Sequence, residues 1–188
     1  MFNFNNTSNN INRQVVSQKS NQIVRNLHIK KHNQNANISN ARAWGVLTWM
    51  LFHTLAEKVK DEYFTSVINN ITGLIKKICI CLPCPYCRND AQNYLSSINF
   101  KLIQNKNDLK LFLLDFHNHV NQKLDNEQCS YNILEKYENL DIVKVVTLWS
   151  NYFKRYGIEA QEFMEGIQRE QVKIEMYNFV IQNRNIFN

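Results

Sequence analysis

Residues 64–87 read FTSVINNITGLIKKICICLPCPYC, from Phe64 to Cys87, and this stretch decides the fold. Its large apolar residues are Phe64, Val67, Ile68, Ile71, Leu74, Ile75 and Ile78. They recur at spacings of three and four, which predicts an amphipathic helix over about 61–80. Pro83 stops that helix, because a proline inside it would remove a backbone hydrogen bond and clash with the preceding turn. Pro85 suits the first turn of a following helix, about 85–97, where its missing N–H is no loss.

The same period extends outward. Upstream, Trp44, Leu47, Leu51 and Leu55 predict a helix over about 41–59, behind a Ser39-Asn40 start. Downstream, Leu109, Phe112, Leu113, Phe116, Val120 and Leu124 predict one over about 107–125. Further helical segments are expected near 131–156 and 158–183. No alternating strand pattern of useful length competes, and 4 glycines and 2 prolines are too few for a turn-rich β protein. The expected fold class is all-α: an antiparallel four-helix bundle from the first four helices, with additional C-terminal helices. Leu140, Ile142, Val143, Val146, Trp149, Phe153 and Tyr156 form an apolar series. It suits either packing onto the bundle or a subunit interface.

Residues 1–38 are rich in Asn, Gln and Ser and poor in large apolar residues. They read as a flexible extension ahead of a bundle at 39–130 and a C-terminal helical extension at 131–188. The net charge of +6 is spread among acids, and the basic runs are pairs such as Lys30-Lys31 and Lys76-Lys77. A solvated surface explains this better than nucleic-acid binding. No stretch approaches the ~18 uninterrupted apolar residues of a membrane span. The N-terminus lacks the pattern of a secretory signal, so an intracellular protein is expected, without membrane or nucleic-acid partners.

Cysteine usage points to chemistry. Cys79, Cys81, Cys84 and Cys87 lie within nine residues, and intracellular disulfides are usually transient and catalytic. Cys84 and Cys87 are three apart at a helix start, so their sulfurs can meet. A helix N-terminus favours thiolate, the species that attacks a disulfide. Three readings stay open on the cysteines alone. A thiol–disulfide exchanger is one. A zinc module is another, although structural zinc usually takes two ligand pairs separated by a longer loop. Plain structural cysteines are the third. A thioredoxin-like fold also arises, but it needs a strand before the motif, where the spacing here is helical.

Two further clusters sit on the flanking helices. The first is Gly45-Val46-Leu47-Thr48-Trp49-Met50-Leu51-Phe52-His53; the second is His117-Asn118-His119-Val120-Asn121-Gln122-Lys123-Leu124. Trp49 and His53 share a face, with Gly45 one turn earlier, and His117 and Asn121 border the second helix's apolar stripe. A flat aromatic cofactor with polar edges would suit such a lining. Taken singly, a tryptophan or histidine on an apolar face is more often core.

In order and spacing, these two clusters with Pro83-Cys84-Pro85-Tyr86-Cys87 between them resemble the Erv/ALR family of FAD-linked sulfhydryl oxidases. The likeness covers about residues 41–130 and looks most like the short members encoded by large DNA viruses. It implies FAD as cofactor, with Cys84 and Cys87 catalytic. Cys84 would exchange with a substrate dithiol and Cys87 would face the flavin, whose electrons pass to O2 and give hydrogen peroxide. It implies a cofactor site of Gly45, Thr48, Trp49, His53, His117, Asn118, Val120, Asn121 and Lys123, with no metal. It also implies protein dithiol substrates, a homodimer and, for a viral member, the host cytoplasm or virion. The sequence departs from the cellular pattern at Leu114, where those members carry a bridged cysteine, and at Val46, where they carry arginine. No cysteine precedes Cys79 or follows Cys129, so a tail shuttle pair of the usual form is not expected.

Overall fold

A computed structural model describes residues 40–153 and 160–188. The expected extension over 1–38, and Tyr156, lie outside the described residues. Six α-helices follow one another: α1 Asn40–Lys58, α2 Asp61–Ile80, α3 Pro85–Ser96, α4 Lys106–Lys123, α5 Ile142–Tyr152 and α6 Ala160–Gln182. Short 3-10 turns occupy Phe100–Leu102, Tyr131–Tyr137 and Arg184–Ile186. Among the described residues the only strand-like pairing is an isolated bridge between Val59 and Phe187. The all-α expectation holds, and residues 61–80 are helical where a thioredoxin-like fold needs a strand.

Local chemistry sets the boundaries. α2 opens with Asp61 and Glu62 and carries Lys77 in its last turn, each charge at the end its helix dipole favours. α4 starts with a capping box: the Asn105 side chain accepts from Asp108 N, and the Asp108 carboxylate accepts from Asn105 N. The segment expected as one helix over 131–156 is split. Asp141 accepts from the backbone N–H groups of Val143 and Lys144, so α5 begins there.

α1 lies at the centre. Every residue from Met50 to Ala56 is buried, so the helix has no solvent face over nearly two turns. α4, α5 and the 131–137 turn pack on it, α6 packs on α5 and α2, and α3 packs on α2. α5 thus joins the core of the bundle expected from the first four helices. Of the apolar series, Ile142, Val146, Trp149 and Phe153 are buried within the chain, so these four serve internal packing. The end of the described chain closes the same core, with Asn188 N donating to Lys58 O and Lys60 N to Ile186 O.

Trp149 joins α5 to α1 with both its area and its polar edge. Its ring is fully buried, and Nε1 donates to Thr48 Oγ1 at 3.1 Å. That hydroxyl in turn donates to Trp44 O at 2.7 Å. Replacing Trp149 with alanine removes a buried aromatic and leaves a cavity. Urea unfolding should show a loss of about 3–5 kcal/mol; a loss under about 1 kcal/mol would show that α5 is not part of the cooperative core.

Candidate active site

The site is built from α3, α1 and α4. Cys84 is the N-cap of α3, with extended backbone, and Pro85 follows at the first helical position. The Cys84 and Cys87 sulfurs are joined in a disulfide with their Cα atoms 5.2 Å apart. Cys84 Sγ also accepts the backbone N–H of Cys87 at 3.1 Å. Both cysteines are half-buried, and Tyr86 between them is exposed. The pair is therefore within reach of a partner's thiol.

Farther along α3, Asp90 and Tyr94 tie the cysteine helix to α4. The Asp90 carboxylate takes His119 Nε2 at 3.2 Å and Lys123 Nζ at 2.5 Å. The bond from Asp90 holds the Lys123 ammonium above its ordinary pKa. Tyr94 stacks on Phe116, with centroids 4.7 Å apart and planes 6° apart. Phe116 then meets Trp49 of α1 edge-on at 5.1 Å. Aromatic contacts thus run from the cysteine helix to the central helix.

Trp49 and His117 are stacked with centroids 4.2 Å apart and planes 9° apart. His53 Nε2 and His117 Nδ1 are 3.1 Å apart, so one imidazole donates to the other. Tyr137, from the turn after α4, stacks on the other side of the group, 4.9 Å from His53. His53 is almost completely buried, and its Nδ1 has no hydrogen-bond partner among the described residues. Burial first, and the neighbouring His117 second, lower its pKa to about 3. His53 is therefore neutral at physiological pH.

The other expected site residues fall into two groups. Gly45 has open space beside it: an added Cβ would meet nothing within 4 Å. Val120 packs against the core edge. The remaining polar groups are engaged by the protein. The Thr48 hydroxyl lies between Trp44 and Trp149. Asn118 accepts from Cys129 N at 2.7 Å and donates to Cys129 O at 2.9 Å. Asn121 donates to Glu127 O at 3.3 Å and lies 3.5 Å from Cys129 Sγ. As placed, the two asparagines hold the loop that follows α4.

The open side of Gly45, the unpartnered His53 Nδ1 and the flat Trp49–His117 stack fit a planar aromatic group with hydrogen-bonding edges. Asp90, Tyr94 and Tyr137 were not singled out from the sequence. Asp90 and Tyr94 stand three and seven residues after Cys87, so helical spacing could have found them. Tyr137 had no local signal.

The other cysteines are free thiols. Cys79 is buried, and burial pushes its thiol far up, with Cys81 adding to the effect. Burial likewise raises Cys129, partly offset by the Asn121 bond and Lys136. Among the described residues no group of three or more His, Cys, Asp or Glu is arranged to hold a metal ion. No described helix is long and apolar enough to cross a membrane.

A helical bundle with a Cys-x-x-Cys disulfide at a helix start, backed by stacked aromatic and imidazole rings, defines a helical dithiol–disulfide protein. Residues 46–139, half of the chain, match the Erv1/Alr family, and the chain belongs to that family. The match runs past residue 130, where the bundle was expected to end, and takes in Tyr137. The chain is 30% identical over 88 residues to a candidate FAD-linked sulfhydryl oxidase, 096R, of Invertebrate iridescent virus 3. That alignment covers 46% of this chain and 60% of the relative. It is 26% identical over 87 residues to a candidate of the same kind, 347L, of Invertebrate iridescent virus 6, covering 43% of this chain and 78% of the relative. No solved structure matches the chain.

The depressed His53 pKa has a direct consequence. The unfolded chain takes up a proton near pH 6.5, which the folded chain resists until about pH 3. The stability due to neutral His53 is complete above pH 6.5 and is lost as pH falls toward 3. Urea unfolding over this window should show a slope of up to about 1.4 kcal/mol per pH unit from this group. His53→Gln should flatten the slope; an unchanged slope would assign it to other groups.

Proposed function

We propose that this protein is an FAD-dependent sulfhydryl oxidase that forms disulfide bonds in protein substrates. The carrying observation is the Cys84–Cys87 disulfide at the start of α3, inside the segment that matches the Erv1/Alr family. The names of the two viral relatives support FAD as the cofactor. Gly45, Trp49, His53 and His117 are the residues we assign to holding it, with Tyr137 beside them. Bound there, FAD supplies electron transfer from the reduced cysteine pair to O2, with hydrogen peroxide as product.

The protein's own residues perform the exchange. A substrate thiolate attacks Cys84 Sγ, forming a mixed disulfide and releasing Cys87 as thiolate. The second substrate thiol then attacks the mixed disulfide. The substrate leaves oxidised, and Cys84 and Cys87 are left as a dithiol. Cys84 suits the exchanging role because its sulfur caps α3: the Cys87 N–H and the helix dipole both favour negative charge there. Cys87, within the first turn, is assigned to the cofactor side. His53 stays neutral, so it can orient a ligand by a hydrogen bond without adding charge.

The zinc reading is not favoured, because Cys84 and Cys87 are bonded to each other and Cys79 is a buried thiol. A flavin-free exchanger would share the same pair and differ in its spectrum. Protein dithiols and O2 as partners, a homodimer, and action in the host cytoplasm or virion complete the proposal; both named relatives are viral.

The purified protein is expected to show visible flavin absorption and to consume O2 when given a dithiol. Cys87→Ser should abolish that consumption while keeping the flavin; normal turnover in this variant would refute the assignment of the pair. His117→Ala removes one ring of the stack and should lower the flavin-to-protein ratio. Full retention of flavin would place the cofactor elsewhere.

A further inference from the structure

Arg88 follows Cys87 directly and stands four residues after Cys84. Its backbone N–H bonds to the Cys84 carbonyl at 2.9 Å. Residues four apart share a helix face, so Arg88 is carried on the Cys84 side of α3. Glu165 of α6 holds the guanidinium: Nη1 and Nη2 each lie 3.2 Å from Oε1. The other carboxylate oxygen faces Arg169 Nη1 at 3.5 Å, and Arg169 is 3% exposed. Cys81, which caps α2, feels the same three residues. Burial raises its thiol, Arg169 and Arg88 pull it down, and Glu165 pushes it up. Two guanidiniums and one carboxylate therefore occupy the corner where α2 ends and α3 begins, mostly out of water. Glu165 and Arg169 lie outside the segment that matches the family.

Ion pairs removed from water are a weak source of net stability. Their field, by contrast, acts strongly on nearby groups that change charge. We propose that Glu165 is a positioning residue for the Cys84–Cys87 pair: by holding Arg88 and offsetting its charge, α6 sets how readily that disulfide is reduced. The proposal rests on Cys84–Cys87 being the redox pair. Thiolate exists only in the reduced form, so added positive charge favours the dithiol and its removal favours the disulfide. Glu165→Gln adds one unit of positive charge to the cluster; Arg88→Met removes one. On the α4 side of α3, Asp90, His119 and Lys123 are untouched by either change.

The test equilibrates the full chain in glutathione buffers. Two glutathione thiols reduce the disulfide and leave as one glutathione disulfide, and alkylation of the free thiols counts each form. Glu165→Gln should shift the equilibrium toward dithiol and Arg88→Met toward disulfide, each by about threefold to tenfold. Loosened packing alone does not give opposite signs. Shifts in the same direction, or none, overturn the proposal. If Glu165→Gln does not fold, Arg88→Met decides, and any result other than a shift toward disulfide overturns it. A wild-type chain whose Cys84 and Cys87 do not interconvert between the two forms fails differently, because it removes the redox reading itself.

Discussion

Helix α1 is enclosed on every side from Met50 to Ala56, and the rest of the molecule answers that constraint. Polar side chains on and beside this stretch can pair only inward. While the Thr54 hydroxyl and His53 Nδ1 find no partner among the described residues, two other groups do. Thr48 finds Trp149, and His53 finds His117. The first pairing recruits α5 into the core. The second brings α4 against α1 and forms the ring cluster at the heart of the candidate site. The same enclosure keeps His53 uncharged. Fold and site therefore share one cause.

α4 faces two ways. Toward α1 it presents His117 and Phe116 to Trp49; toward α3 it presents His119 and Lys123 to Asp90. The cysteine pair sits on α3 and the ring stack on α1, so α4 is what holds one in register with the other. The Tyr94–Phe116 stack adds apolar area to that link. An exposed pair such as Lys123 with Asp90 contributes little alone. Here it shares its carboxylate with His119 and lies beside packed rings.

Much of this was legible in the sequence because it is local. Helical spacing gave α1 to α4 within a residue or two, and Pro83 and Pro85 marked the corner at which Cys84 becomes a cap. Trp49, His53 and His117 were found because they sit on apolar stripes with the right period. What the chain did not announce were pairs distant in sequence. Trp149 reaches back to Thr48, Tyr137 to His53, and Glu165 to Arg88. None leaves a local period, since each depends on how helices pack. The break at Asp141 was missed for another reason: apolar residues continue across it, while one carboxylate capping two N–H groups decides where the helix starts.

The loop after α4 has a consequence for durability. Asn118 grips Cys129 through the backbone N–H and C=O together, and Asn121 reaches Glu127 beside it. These contacts carry no sulfur–sulfur bond. In a molecule proposed to live by making and breaking such bonds, the strap beside the site is made of amides. A reductant strong enough to open the Cys84–Cys87 disulfide leaves those amide hydrogen bonds alone, so the working part can be reduced while the frame keeps its shape.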